Sequence, residues 1–170
     1  MIFKLFRKSP ALDAAFEAYR AIVAQSRQEK FYADWGVPDT VTGRFDMITL
    51  HLALVLRRLK GETQAKEFGQ ALVDLFFRDM DRSLRELGVT DLGVPNKVKK
   101  MGNVFYGLVG ALGEALDKGG VAEVGAVVVK NVYGGETAHA ATLAAYLIDE
   151  AQRLAAQPIE AVTHATGAAA

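Results

Sequence analysis

The chain of 170 residues contains no cysteine. That absence excludes a disulfide framework, a thiolate zinc site and a cysteine nucleophile, and it suits a reducing compartment. An excess of either charge is also missing, since 20 Lys and Arg stand against 20 Asp and Glu. General nucleic-acid binding needs a basic surplus to neutralise phosphates, so no nucleic-acid partner is expected. Long apolar runs are absent. The longest, MITLHLALVL, is interrupted by His51, and a bilayer span needs about 20 residues. Neither a GxGxxG nor a GxxxxGK[ST] loop occurs, which removes the familiar backbone cradles for nucleotide phosphates.

What remains is globular. Apolar residues make up 51% of the chain and charged residues 24%, enough for one domain with a hydrophobic core. The apolar pattern is helical. Leu12, Phe16, Tyr19, Ile22 and Val23 form a stripe at three- and four-residue spacing. WGVPDTVTGR reads as a loop, with Thr40 or Thr42 capping the helix that follows. That helix, from about Phe45 to Leu59, is apolar on nearly all sides and belongs in the middle of a bundle. Another runs from Thr63 to Leu87 with Phe76, Phe77, Met80, Leu84 and Leu87 as its inner stripe, ending at Gly88. A fourth follows Pro95, with Asn96 as its cap and Gly119 as its stop. VAEVGAVVVKNVYGG is rich in valine, but no partner strand is evident, so it is read as helix. An alanine-rich helix ends before Pro158. The expected fold is all-α, a single compact bundle of about six to seven helices. It divides into a basic, aromatic segment over 1–10, a helical domain over 11–158 and a flexible tail over 159–170.

The first segment, MIFKLFRKSP, alternates apolar with cationic residues and is too short for a signal peptide. Two readings stay open. Phe3, Lys4, Phe6, Arg7 and Lys8 touch an anionic membrane surface, or the two Phe pack on the domain.

VDLFFRDMDRSLRELGV raises the question of a metal site. On a helix Asp79 and Asp81 diverge by about 200°, and Asp74 and Asp81 lie about 10 Å apart along the axis. They cannot share an ion. Instead Asp74 precedes Arg78 by four and Asp81 precedes Arg85 by four, the favourable order for helix ion pairs. No metal is expected. His51, His139 and His164 form no cluster, and His51 reads as a buried, hydrogen-bonded core residue. Gly102, Gly107, Gly110 and Gly113 sit inside a helix, where each costs about 1 kcal/mol relative to alanine. Tight internal packing and a shallow groove for a partner helix both account for them. In NKVKKMGNVFYG, Lys97, Lys99 and Lys100 stand beside Phe105 and Tyr106, a pattern that fits an acidic protein segment, a lipid surface or plain solvation above core aromatics.

Several blocks in order carry a resemblance. They are Tyr32 with the Gly36–Asp39 loop, Gly43–Asp46 opening an apolar helix, Asp79–Asp81 with Leu84–Glu86, Val98–Met101, and Phe105–Gly107. Over about Phe31 to Tyr133 they resemble the ubiquinol–cytochrome c chaperone family, and in particular its alphaproteobacterial branch. The resemblance implies an all-helical, non-enzymatic chaperone without cofactor. It implies binding of newly made cytochrome b and support for assembly of the bc1 complex, in the cytoplasm or peripherally on the inner membrane. Mitochondrial members work with a small partner protein near the ribosome, and neither is expected here, since no long transit peptide precedes the domain. The alternative is a helical interaction or scaffold module at the membrane surface with a different partner. The residues expected to face a partner are Asp39, Arg44, Asp46, Asp79, Asp81, Arg82, Arg85, Lys97, Lys99, Lys100, Phe105 and Tyr106.

Overall fold

Thr40 starts the helix around which the others assemble. Its hydroxyl accepts a hydrogen bond from the Gly43 amide at 3.0 Å. Such a cap contributes about 1 kcal/mol. A β-carbon at Gly43 would lie 2.0 Å from the Pro38 carbonyl oxygen, so glycine is what lets the preceding loop fold against the helix start. The structure, a computed structural model, describes residues 10–164, and none of these lies in a strand. In chain order the helices are α1 (Pro10–Ser26), α2 (Glu29–Ala33), α3 (Val41–Leu59), α4 (Lys66–Glu86), α5 (Val94–Lys118), α6 (Val121–Val128), α7 (His139–Ala155) and α8 (Ile159–His164). A 3-10 turn at Thr63–Ala65 leads into α4, and a wider π turn at Val129–Tyr133 closes α6. The all-α expectation holds, including for the valine-rich segment of α6.

α3 is the axis. Met47, Ile48, Leu50, Leu52 and Leu54 are each at most 1% exposed. A helix apolar on all sides needs neighbours on all sides. α1, α4, α5, α7 and α8 supply them. On α4 the inward residues recur every fourth position, at Phe68, Leu72, Phe76, Met80 and Leu84. Phe76 meets Phe45 edge-on at 5.8 Å and stacks on Phe105 at 4.8 Å, which joins α3, α4 and α5 in one aromatic layer. Leu87 does not extend the stripe: α4 ends at Glu86, Leu87 is 60% exposed, and Gly88 follows in the left-handed conformation at φ +79°.

Three other local expectations are corrected. α1 buries Ala15, Ala18, Tyr19 and Ile22, while Leu12 and Phe16 are 41% and 49% exposed. Alanines let α1 approach closely, which turns the larger residues of the stripe outward. α5 starts at Val94 with Pro95 in its first turn, so Asn96 lies inside the helix and does not cap it. Residues 159–164 are helical, with Ile159 and Val162 buried, because α8 packs back on α1 and α3.

Candidate functional site

Short connections make α3, α4 and α5 run alternately up and down. The start of α3, the end of α4 and the start of α5 therefore share one end of the bundle. These segments carry most of the charged residues expected to face a partner. At the start of α3, Arg44 donates to Asp39 at 2.7 Å, which holds the Asp39 carboxyl below its ordinary pKa. On α4, Arg85 donates to Asp81 at 2.7 Å and also pairs with Asp91, and Arg82 donates to Asp79 at 2.8 Å. On α5, Lys97, Lys99 and Lys100 are exposed and join no ion pair among the described residues. Leu92, 91% exposed in the link before α5, adds apolar surface at this end, and Tyr106, 61% exposed, adds it further along α5. Asp39, Asp79, Asp81 and Asp91 each meet an arginine, whereas these α5 lysines meet no acid among the described residues.

Three of the expected partner-facing residues lie elsewhere. Phe105 is 2% exposed and belongs to the core layer. Asp46 is 8% exposed, and burial without a cation pushes its carboxyl up to about 7. Asp79 is an internal tether: its carboxylate also accepts from the Tyr19 hydroxyl at 3.0 Å, tying α1 to α4. Asp74 accepts from Gln70, four residues before it, at 2.9 Å instead of pairing with Arg78. Phe3, Lys4, Phe6, Arg7 and Lys8 lie outside the described residues.

His51 sits where the sequence places it, but its partners are distant in the chain. Its Nδ1 is 2.7 Å from the Met47 carbonyl, so Nδ1 carries the proton and Nε2 accepts from the Tyr146 hydroxyl at 2.8 Å. Tyr146 in turn accepts from Gln25 at 2.9 Å, and Gln25 donates to Glu150 at 3.0 Å. Arg153 closes the series with bonds of 2.6 and 2.8 Å to Glu150. Burial holds the imidazole below its ordinary pKa and pushes the Tyr146 hydroxyl up to about 12. Burial also acts to raise Glu150, but the bonds from Arg153 and Gln25 outweigh it and hold that carboxyl low. Phe31 and Trp35 pack edge-on around Tyr146 at 5.1 and 5.7 Å, and Lys30 caps the rings at 5.1–5.4 Å. Every ring nitrogen and hydroxyl is engaged, so this network fixes α1, α3 and α7 together and presents no open base. Among the described residues no group of three or more His, Asp or Glu stands close enough to hold a metal.

The α5 glycines divide into two kinds. A β-carbon at Gly102 would come 3.2 Å from the Phe77 ring, so close packing accounts for that position. At Gly107, Gly110 and Gly113 it would meet nothing within 4 Å. Gly110 and Gly113 line a groove of about 650 Å³ beside Leu56, Arg57 and Gly69. Internal packing does not explain these three. Sequence reasoning missed a second groove, between α1 and α4, because it assigned Phe16 to the core.

This helical arrangement matches known proteins. The family model described as Ubiquinol-cytochrome C chaperone matches residues 33–168. The chain belongs to the ubiquinol–cytochrome c chaperone family. The crystal structure of the Cbp3 homolog from Brucella abortus shares 43% identity with it and superposes with a TM-score of 0.84, over 96% of this chain and 93% of that one. A curated protein, ubiquinol-cytochrome-c reductase complex assembly factor 1 of Xenopus laevis, is 25% identical over 97 residues. That match takes in 56% of this chain and 48% of the frog protein, so the chain spans about half the length of this curated relative. The family match starts within α2, after α1 has ended.

Proposed function

We propose that the chain is a non-enzymatic assembly chaperone that binds newly made cytochrome b and supports assembly of the bc1 complex at the inner-membrane surface. The observation that carries this reading is the family match across residues 33–168, together with the frog relative that is an assembly factor for ubiquinol-cytochrome-c reductase. The end of the bundle supports it. Lys97, Lys99 and Lys100, in no ion pair among the described residues, follow exposed Leu92 in the chain and precede exposed Tyr106 along α5, and offer charge-assisted and apolar contacts to a protein segment. No helix among the described residues is long and apolar enough to cross a membrane, which fits peripheral work on a membrane-bound client.

Deleting the gene is expected to lower bc1 levels while cytochrome b mRNA stays normal. The Lys97→Glu, Lys99→Glu, Lys100→Glu triple variant is expected to recover less cytochrome b on co-purification from membranes. Full recovery by that variant rejects the lysine surface, and normal bc1 levels in the deletion reject the chaperone reading.

A further inference from the structure

α1 and α4 leave a groove of about 690 Å³ between them. Phe16 and Val23 of α1 and Leu75 of α4 give it an apolar lining, with Phe16 49% exposed. Four arginines line it as well, Arg20 and Arg27 from α1 and Arg78 and Arg82 from α4. The lining acids are Asp13 and Asp79, and Asp79 is already held by Tyr19 at 3.0 Å and Arg82 at 2.8 Å. Arg27 and Arg78 are exposed and join no ion pair among the described residues. Arg20 pairs with Glu17 at 3.6 Å and Arg82 with Asp79, so the guanidinium groups left for a partner among the described residues are those of Arg27 and Arg78, set against Asp13.

The chemistry selects an occupant. A concave apolar channel receives side chains from a helix or extended segment. Guanidinium groups along it favour carboxylates, which they bind through paired donors. A lipid surface is flat and meets side chains that protrude, whereas these line a concavity. The first nine residues of the chain are a poor fit, since they carry Lys4, Arg7 and Lys8 and no acid. We propose that the α1/α4 groove binds an amphipathic, acidic segment of the protein client, an inference that rests on the chaperone reading above.

The probe is a labelled helical peptide of about 18 residues, five turns, with leucines on one face and flanking glutamates. It is titrated against the full chain by fluorescence anisotropy, with a lysine-flanked version as control. The glutamate peptide is expected to bind at least about tenfold tighter than the control. The Arg27→Glu, Arg78→Glu double variant is expected to reverse that preference with an unchanged melting temperature, because both side chains are exposed. Phe16→Ala is expected to weaken both peptides. Equal binding of the two peptides, or an unaffected double variant, overturns the proposal. So does binding to phosphatidylglycerol vesicles without any peptide preference. A large gain in peptide affinity on removing residues 1–9 would make that segment the occupant, and a dimer dissolved by the double variant would make it a second copy; either overturns the proposal. Cytochrome b recovery separates the two readings. If the wild-type chain binds the glutamate peptide but recovers no cytochrome b, the chaperone reading fails and the groove chemistry stands. If wild type and double variant recover it equally, the groove fails as the client site.

Discussion

The two sides of α1 are built on opposite terms. On one side Gln25 reaches into a largely buried series running from His51 through Tyr146 to Glu150 and Arg153, each group joined to the series by a hydrogen bond. On the other side Tyr19 ties α1 to Asp79 of α4, and two arginines, Arg27 and Arg78, line an open groove with no ion pair among the described residues. Polar groups on the first side are used up in holding the fold. Those on the second remain available. The contrast predicts that substitutions toward α7 act on stability, and that substitutions toward α4 act mostly on binding.

The strongest way to break this contrast is His51→Ala. It removes a ring packed at 5.6 Å from Phe31 and leaves the buried Tyr146 hydroxyl without its acceptor. Cavity and lost hydrogen bond together are expected to cost about 3–5 kcal/mol. For a chain of this size the melting temperature should fall by about 10 °C. A fall below about 2 °C in a thermal scan would show that the network does not hold the fold.

Asp46 sharpens the comparison, because it is a buried polar group on α3 that no network serves. Its folded pKa of about 7 lies above the ordinary carboxylate value. Between about pH 4 and 7 the folded chain keeps a proton that the unfolded chain has released, so stability falls as pH rises through that window and levels off above it. Asp46→Asn has no such ionisation. It should match the wild type near pH 4 and exceed it by about 2–4 kcal/mol at pH 8. His51 and Glu150, both with lowered pKa, act in the opposite sense and lose their contribution as pH falls. Chemical denaturation at a series of pH values reads the difference, and a constant gap between variant and wild type would refute the assignment.

On the groove side, Tyr19→Phe removes one hydrogen bond to an aspartate that keeps its contact with Arg82. The expected loss is about 1.5–2 kcal/mol, the low end for a hydrogen bond to a charged group because the tie is only part-buried, and less than for His51→Ala. A loss equal to that of His51→Ala would erase the contrast between the two sides of α1.

Much of this was legible in the sequence, and the rest failed for identifiable reasons. The all-round apolar run of α3, the Thr40 cap and the i to i+4 pair Asp81–Arg85 are local features, and local spacing reveals them. The same spacing rule offered Arg78 to Asp74, but Gln70 stands at the equivalent distance on the other side and takes the bond. Size misled the reading of α1: the stripe of large residues pointed to Leu12 and Phe16, whereas small Ala15 and Ala18 face inward. Tyr146 lies 95 residues from His51 and Asp79 lies 60 from Tyr19, and no periodicity within one helix encodes such pairings. The candidate surface was legible as charge, while the burial of Phe105 and Asp46 required the packed bundle.

The smallest effect tests α5 against itself. Gly102 and Gly110 occupy one helix eight residues apart, and only the first has a neighbour where a β-carbon would go. Gly110→Ala gains the helix preference of alanine and meets empty space, so it should raise stability by about 0.5–1 kcal/mol, or about 2 °C in melting temperature. Gly102→Ala gains the same preference but must displace the Phe77 ring from 3.2 Å, so its net effect should be near zero or negative. If both alanines stabilise equally, Phe77 gives way freely and the two glycines are equivalent. If they differ as expected, packing against Phe77 accounts for Gly102, and no contact among the described residues accounts for Gly110.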